Sequence, residues 1–461
     1  MSLGLSASEP RSRSVDSGAP GRAWEQLIEA RLRDSQAQEA AWAQALRQEA
    51  RSEWKGWPSR KQEGWRFLSV RTLAETAFAE ARVDEAEAQA LVQAFESSFP
   101  GEGEYRIYLV GDRLCFGEGL PEGVALCALS SLTQRDEAEP TFSSPSDSLA
   151  RLNTLLFREG LSLQVEAGRE VALPIHLVQL AALSAKPLVF SPRVRLRLGR
   201  GTKLRFIETH WTLGANDENA DSATGTRLSL TQLRNGVTQI EVGENACLEH
   251  FAQVRAAEGE GVFISTQVEQ AGQSLYRAAH LVLGAAPARL DVQVRLRGEE
   301  AECEVAGLCA AKGQRSSHAH LYVEHIAPRC RSALRFRGIA SERATCTFDG
   351  ITRVWPAASK SEASQESHNL LLSEQATIHS KPHLEIETDE VSCSHGSTVG
   401  SLDEEQLFYL ASRGIEADRA RAILTWAFAQ APLSSASWLP FFPKIAQEAA
   451  SFLGHEGEES A

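Results

Sequence analysis

Over roughly 250 residues, from about 149 to 400, polar and apolar side chains trade places at every second position. In VRLRLG (194–199), Val194, Leu196 and Leu198 fall on one side and the arginines on the other. LDVQVRLRG (290–298) and LEIETDEVSC (384–393) behave alike. Side chains of an extended chain point to opposite faces in turn, so this pattern calls for half-buried strands. A local turn pattern punctuates them: Gly or Ser, two residues, a small or β-branched residue, one residue, then an apolar one. It occurs as GREVAL (168–173), GRGTKL (199–204), GENACL (243–248), GEEAEC (298–303), SERATC (341–346) and SEQATI (373–378), at uneven spacings of 31 to 55 residues. A turn followed by inward small and apolar residues is what stacked rungs need at a corner. The expected architecture is a mainly β chain built on a β-solenoid with variable rungs, with a large β-sandwich as the competing one.

Both flanks read differently. From about Ala23 to Phe99 strong helix formers dominate, and Trp24, Leu27, Ile28 and Leu32, then Ala88, Leu91, Val92 and Phe95, keep helical spacing. The loop PSRKQEGWRF (58–67) carries Trp65, expected to anchor it on a helix. YRIYLVGDRLCF (105–116) reads as a hairpin about Gly111-Asp112. A polar connection covers about 132–148. After residue 400, Ser401 and Glu404 form a capping box opening a helix with Leu407, Leu410 and Ala411 on its apolar stripe and Gly414 past its end. A second helix from about Asp418 is expected to bury Ala422, Ile423, Trp426 and Ala427, with Pro432, Pro440 and Pro443 interrupting the chain beyond it. The pair reads as a cap on the solenoid, or as a docking site for another protein. The resulting division is a disordered tail at 1–22, an N-terminal helical region with a hairpin at 23–131, the β core at 149–400 and a C-terminal helical region at 401–461.

A net charge of −14 argues against a nucleic-acid partner, since phosphate binding requires a basic face. The eight cysteines are scattered without a CxxC, which fits reduced thiols in a cytosol. No run approaches the ~18–20 apolar residues of a membrane span, and the first 22 residues lack the apolar stretch of a secretory signal.

Chemical motifs are sparse. The sequence holds no GxxxxGK[ST], GxSxG or HExxH, and no GxGxxG follows a strand. SHAHLYVEH (317–325) sets His318 and His320 on one face of a strand with His325 nearby, expected as exposed histidines. The stretch VSCSHGSTVG (391–400) is more constrained. Extended, it puts Val391, Cys393 and His395 on one face, with Cα atoms stepping by roughly 6.6–6.8 Å every second residue. Val391 calls for burial, so the pair is expected on a covered side. Two donors do not close a metal or cluster site, which takes about four. Taken alone, they equally describe a buried cysteine beside a hydrogen-bonded histidine.

The segment NLLLSEQATIHSKPHLEIETDEVSCSHGSTVGSLDEEQLFYLASRGI (369–415) resembles the C-terminal signature of the SufB/SufD family of iron–sulfur cluster assembly, through LLLS, KP.LEI, CSHG, VG.LDEE and LFYL.SRG. CSHG followed by VG.LDEE favours the SufD branch over a SufB-type paralogue. Weaker likeness runs upstream through 149–168, 172–180 and 323–332 to the 58–67 loop, where this chain departs from the usual Trp-Lys-Tyr with Trp65-Arg66-Phe67. Ser397 stands where Ala is common. The resemblance implies a right-handed parallel β-helix between helical ends, in a non-enzymatic scaffold subunit of a cytoplasmic complex with SufB and the SufC ATPase. It implies pairing with SufB through the β-helix, and His395 with Cys393 as ligands of a transient cluster shared with SufB, with no permanently bound cofactor. It also implies SufC docking on the C-terminal helices, for which Leu407, Phe408, Tyr409 and Trp426 are the candidate residues. The rival reading is a β-helix enzyme acting on polysaccharide, which would need a convergent carboxylate pair in an open groove.

Overall fold

The computed structural model describes residues 19–454 apart from 102, 117–118, 133–146, 185, 214–229, 258, 285–286 and 440–441. The expected tail therefore lies outside the described residues up to residue 18, as does most of the 132–148 connection. The alternating region winds through about seven turns of a parallel solenoid, with helices at both ends of the chain. Successive strands alternate between two sheets, and each strand pairs in parallel with the strand one turn away. From Val268 to Val294, Val323 and Thr352 the chain advances 26, 29 and 29 residues per turn in unbroken register. This rules out the sandwich. The hairpin expected about Gly111-Asp112 is present as antiparallel Tyr105–Val110 and Arg113–Phe116.

The recurring turn pattern marks corners, but of two kinds. Gly168, Gly201, Asn245, Gln273, Glu300, Arg329 and Lys360 all adopt left-handed backbone with φ between 55° and 75°, and they stack as one column. The N–H of Asn245 donates to Gly272 O (3.0 Å), Gln273 to Glu299 O (2.9 Å) and Arg329 to Ser359 O (2.9 Å). In every turn of the column after the first, the next residue (Thr202, Ala246, Ser274, Ala301, Cys330, Ser361) is small and buried, because it faces the tight inner bend, whereas Gly168 is followed by the partly exposed Arg169. SERATC belongs to the opposite corner, where Glu342 (φ 55°) follows Gly313 (φ 72°) one turn earlier. The spacings are uneven because the pattern mixes the two corners and passes over AGQSLY (271–276), APRCRS (327–332) and ASKSEA (358–363), which begin with alanine rather than glycine or serine.

Each outer face is covered by helices. Ala19–Gln38, Ala41–Glu53 and Ser148–Leu156 lie on one sheet, where Trp24, Trp54, Leu73 and Leu152 pack with Leu233 and Phe263. Under them the arginine side of this strand is covered in part: Arg193, just ahead of VRLRLG, is buried and donates to Thr154 Oγ1 and Gln239 Oε1, both at 2.9 Å, Arg195 is buried, and Arg197 is half-buried. Trp65 anchors its loop on this sheet rather than on a helix, stacked 6.2 Å from Phe263 with the Arg289 guanidinium 4.2 Å from its ring.

On the other sheet, helices Ala417–Leu433 and Phe442–Phe452 set Ala429, Leu433, Ile445 and Ala449 against Leu281, Leu308, Ile339 and Leu370. The C-terminal helices thus clasp a side of the solenoid and do not cap its end. The first of the two buries Ala420, Ala422, Thr425 and Ala429 rather than Ile423, Trp426 and Ala427, and Pro432 lies inside its last turn. The preceding helix Glu404–Ser412 is capped by Asp403, whose carboxylate accepts from the N–H groups of Glu405 and Gln406, not by a Ser401–Glu404 box. It buries none of its residues, and Gly414 (φ 81°) ends it as expected. No helix among the described residues is long and apolar enough to cross a membrane.

Candidate functional site

The last turn consists of strands Thr377–Ile386 and Val391–Gly400, one closing each sheet. Each pairs on one side only, with Thr345–Val354 and Ser361–Leu371 respectively, leaving a free edge of backbone N–H and C=O groups. The register sets Val391, Cys393, His395, Ser397 and Val399 beside Ser361, Ala363, Gln365, Ser367 and Asn369, all buried interior positions. Cys393 and His395 therefore share the interior face, as the alternation requires. No further turn covers that face, so Val391 and Cys393 are half-buried and His395 is exposed. The covered side expected from Val391 is in fact the open mouth of the solenoid.

Behind the mouth the interior changes character. Middle turns fill it with residues such as Val292, Val294, Leu321 and Val323. At the end it is polar and pinned. Gln365 donates to Thr352 Oγ1 (2.6 Å) and to the carbonyl of His383 (3.1 Å), and Asn369 donates to Ser367 Oγ (2.9 Å). Ser380 and Ser397, one from each terminal strand, bond across the turn at 2.7 Å. These groups fix the strands that carry Cys393 and His395 without supplying ligands themselves. Burial pushes the Cys393 thiol above its ordinary pKa, with a partial offset from the Ala363 backbone. Among the described residues no group of three or more His, Cys, Asp or Glu is placed to hold a metal. The arrangement presents a thiol and an imidazole in line, and a metal or cluster bound here would need further ligands from outside this turn.

Surface chemistry concentrates at the same end. Of the seven exposed large apolar side chains among the described residues, Ile386, Val399, Phe408 and Tyr409 belong to the last turn or the helix after it. Phe408 and Tyr409 are 76% and 57% exposed. Of the other docking candidates, Leu407 is half-buried, and Trp426 packs against the apolar cluster under the C-terminal helices.

The histidines of SHAHLYVEH are not exposed. His318 is buried and His320 half-buried under the 58–67 loop. Arg289 donates to Gly64 O (2.7 Å) and Asp291 (2.9 Å), His320 Nδ1 lies 3.0 Å from Asp291, and burial beside Arg289 drives the His318 pKa well down. His325 is fully buried, 2.8 Å from Ser332 Oγ. The loop then reaches the terminal strand itself, through a Glu63–Lys381 ion pair (2.5 Å) and Phe67 stacked on His379 (4.2 Å). Sequence reasoning missed this strap. The spacing between residue 63 and residue 381 leaves no periodic trace, and only the one-in-two placement of His379 and Lys381 on the outer face hinted at a covered stripe.

Residues 182–428 match the family model described as SUF system FeS cluster assembly, SufBD core domain. Curated relatives include an iron–sulfur cluster assembly SufBD family protein of Synechocystis, 27% identical over 82% of this chain and 84% of its own length. The iron–sulfur cluster assembly protein SufD of Escherichia coli is 28% identical over 88% and 90%, and the chloroplastic protein ABCI7 of Arabidopsis thaliana 27% over 81% and 78%.

Proposed function

The chain is a SufD-type member of the SufBD family of iron–sulfur cluster assembly proteins, and on that premise we propose that it is a non-enzymatic scaffold subunit whose open solenoid end holds half of a cluster-building site. Cys393 and His395 supply two ligands to the nascent cluster, which is cargo, and SufB, docked edge to edge on the terminal strands, supplies the rest. The observation that supports this reading is the uncovered interior face, where a thiol and an imidazole stand in line with no third metal-holding group beside them among the described residues. A site divided between two chains opens and closes with their relative movement, so a cluster is built when the halves meet and released when they part. The exposed helix Glu404–Ser412 offers SufC a docking surface through Leu407, Phe408 and Tyr409, with Trp426 of the next helix as the fourth contact; the complex works in the cytoplasm.

Co-expression with SufB and SufC, followed by anaerobic reconstitution with iron and sulfide, tests the reading. His395→Ala should leave the three-protein complex intact and cut cluster yield at least tenfold. Undiminished yield in that variant would leave docking alone as this subunit's contribution.

A further inference from the structure

The middle of the solenoid holds a buried polar seam that the open-end site does not use. Glu208, His250 and His280 point inward from three successive strands of one sheet, and Thr238 and Thr266 from two of the other. Glu208 and His250 are satisfied. Glu208 Oε1 accepts from Thr238 Oγ1 (2.9 Å) and Gln179 Nε2 (3.2 Å), its Oε2 lies 3.1 Å from His250 Nε2, and His250 Nδ1 lies 3.0 Å from the Tyr276 hydroxyl. His280, 1% exposed, has no partner on either ring nitrogen, and Thr266 Oγ1 has none either.

Register explains where the missing partner belongs. Glu208, Ala252 and His280 form one row across three adjacent strands. The Thr238–Glu208 bond fixes which positions face each other across the interior, so one turn on, Thr266 faces Ala252. Ala252 carries a single methyl where its neighbours in the row carry a carboxylate chain and an imidazole. Beyond His280 the row continues to Gly307, but there the Phe336 ring stands 2.3 Å from where a Cβ would be, so that side is filled. The small side chain leaves the Ala252 side as the place for such a partner, next to Glu208, Thr266 and two imidazoles whose centroids are 5.8 Å apart.

We propose that this niche over Ala252 is a binding site for buried water, taking one or two molecules that join His280 to Thr266 and to the Glu208–His250 pair. A neutral imidazole has one donor and one acceptor to satisfy, and the niche lining is polar, the condition under which an interior gap is wet rather than empty. One strand spacing, about 4.8 Å, admits molecules the size of water, about 30 Å³ each, and little more. A metal does not fit, since no grouping of three donors among the described residues has the placement for one.

Oxygen-17 relaxation dispersion on the full chain counts long-lived internal waters. Ala252→Leu should lower the count by one or two relative to the parent, and an unchanged count overturns the proposal. Where that variant does not fold, a high-resolution crystal map of the unaltered protein decides. Density within hydrogen-bond reach of a His280 ring nitrogen and Thr266 Oγ1 supports the site, and a void there in a map that shows other buried waters refutes it.

Discussion

Cys393 differs from the interior cysteines in what it can do. Cys309 is fully buried and its thiol is pushed up to about 11, which makes it inert packing. Cys393 is only half-buried on the interior face of the terminal strand, and its pKa is raised more modestly by partial burial. In the isolated chain it stays a thiol at neutral pH, and the proposed ligand role requires iron or a partner's positive charge to draw off the proton. Iodoacetamide labelling of Cys393, read by mass spectrometry from pH 7 to 10.5, should therefore be slow near neutrality and climb through and above pH 9. A rate already saturated at pH 7.5 would contradict the burial of this thiol. The pair itself was legible in the sequence because Cys393 and His395 lie two apart in an extended stretch. Its exposure was not, since burial of Val391 depends on whether a further turn comes after it, and no local pattern encodes the end of a stack.

At the scale of elements, the corner column and the exposed helix make separate demands. A left-handed L-residue costs about 1–2 kcal/mol relative to right-handed backbone, a cost glycine avoids while losing roughly 0.5–1 kcal/mol of its own to unfolded-state freedom. Gln273→Gly should thus raise stability by up to about 1 kcal/mol, read from the urea midpoint. Gln273→Val should lower it, because a β-branched side chain is least tolerant of φ near 56°. These corners were half-legible: Gly168 and Gly201 announced them, whereas Gln273, Arg329 and Lys360 carry no residue-type signal for left-handed backbone. For helix Glu404–Ser412, the exposure of Phe408 and Tyr409 predicts that replacing both with Asp leaves the melting temperature within about 2 °C, as surface changes do. The same double variant should lose capture of SufC in a pull-down. Retained capture would move the docking surface elsewhere. Deleting 402–461 is a poorer test, since it strips Leu433, Ile445 and Ala449 from the sheet they cover.

Across the whole molecule, the buried histidines set the acid limit. Burial lowers His210 and His280 to about 3 and His325 to about 4, against roughly 6.5 in an unfolded chain. The unfolded state then binds more protons below pH 6.5, so their contribution is fully present above that value and drains away as pH falls toward 3–4. At pH 5 each imidazole costs about 2 kcal/mol. Denaturant midpoints should fall steeply between pH 6.5 and 4.5, before most carboxylates titrate, and a flat profile there would refute the neutral interior. Global architecture was the most legible level of all. Alternation sustained over so many strands leaves few folds open, and the flanking helical periods fixed where it stops. What covers which face escaped the sequence, because helices clasping the sides and helices capping the end carry the same amphipathic pattern.

The one-turn-to-the-next register has a last implication. Every strand pairs in the ladder only with its immediate neighbours, so a winding can be added or removed without breaking the ladder, provided the 58–67 strap and the C-terminal helices, which each cross several windings, are refitted. Excising one winding, for instance the 29 residues by which Val323 follows Val294, would bring the N-terminal helices closer to the mouth by a single interstrand step of about 4.8 Å. The rod is in this sense a ruler, graduated in windings, that sets the span between its clasped flank and its free rim.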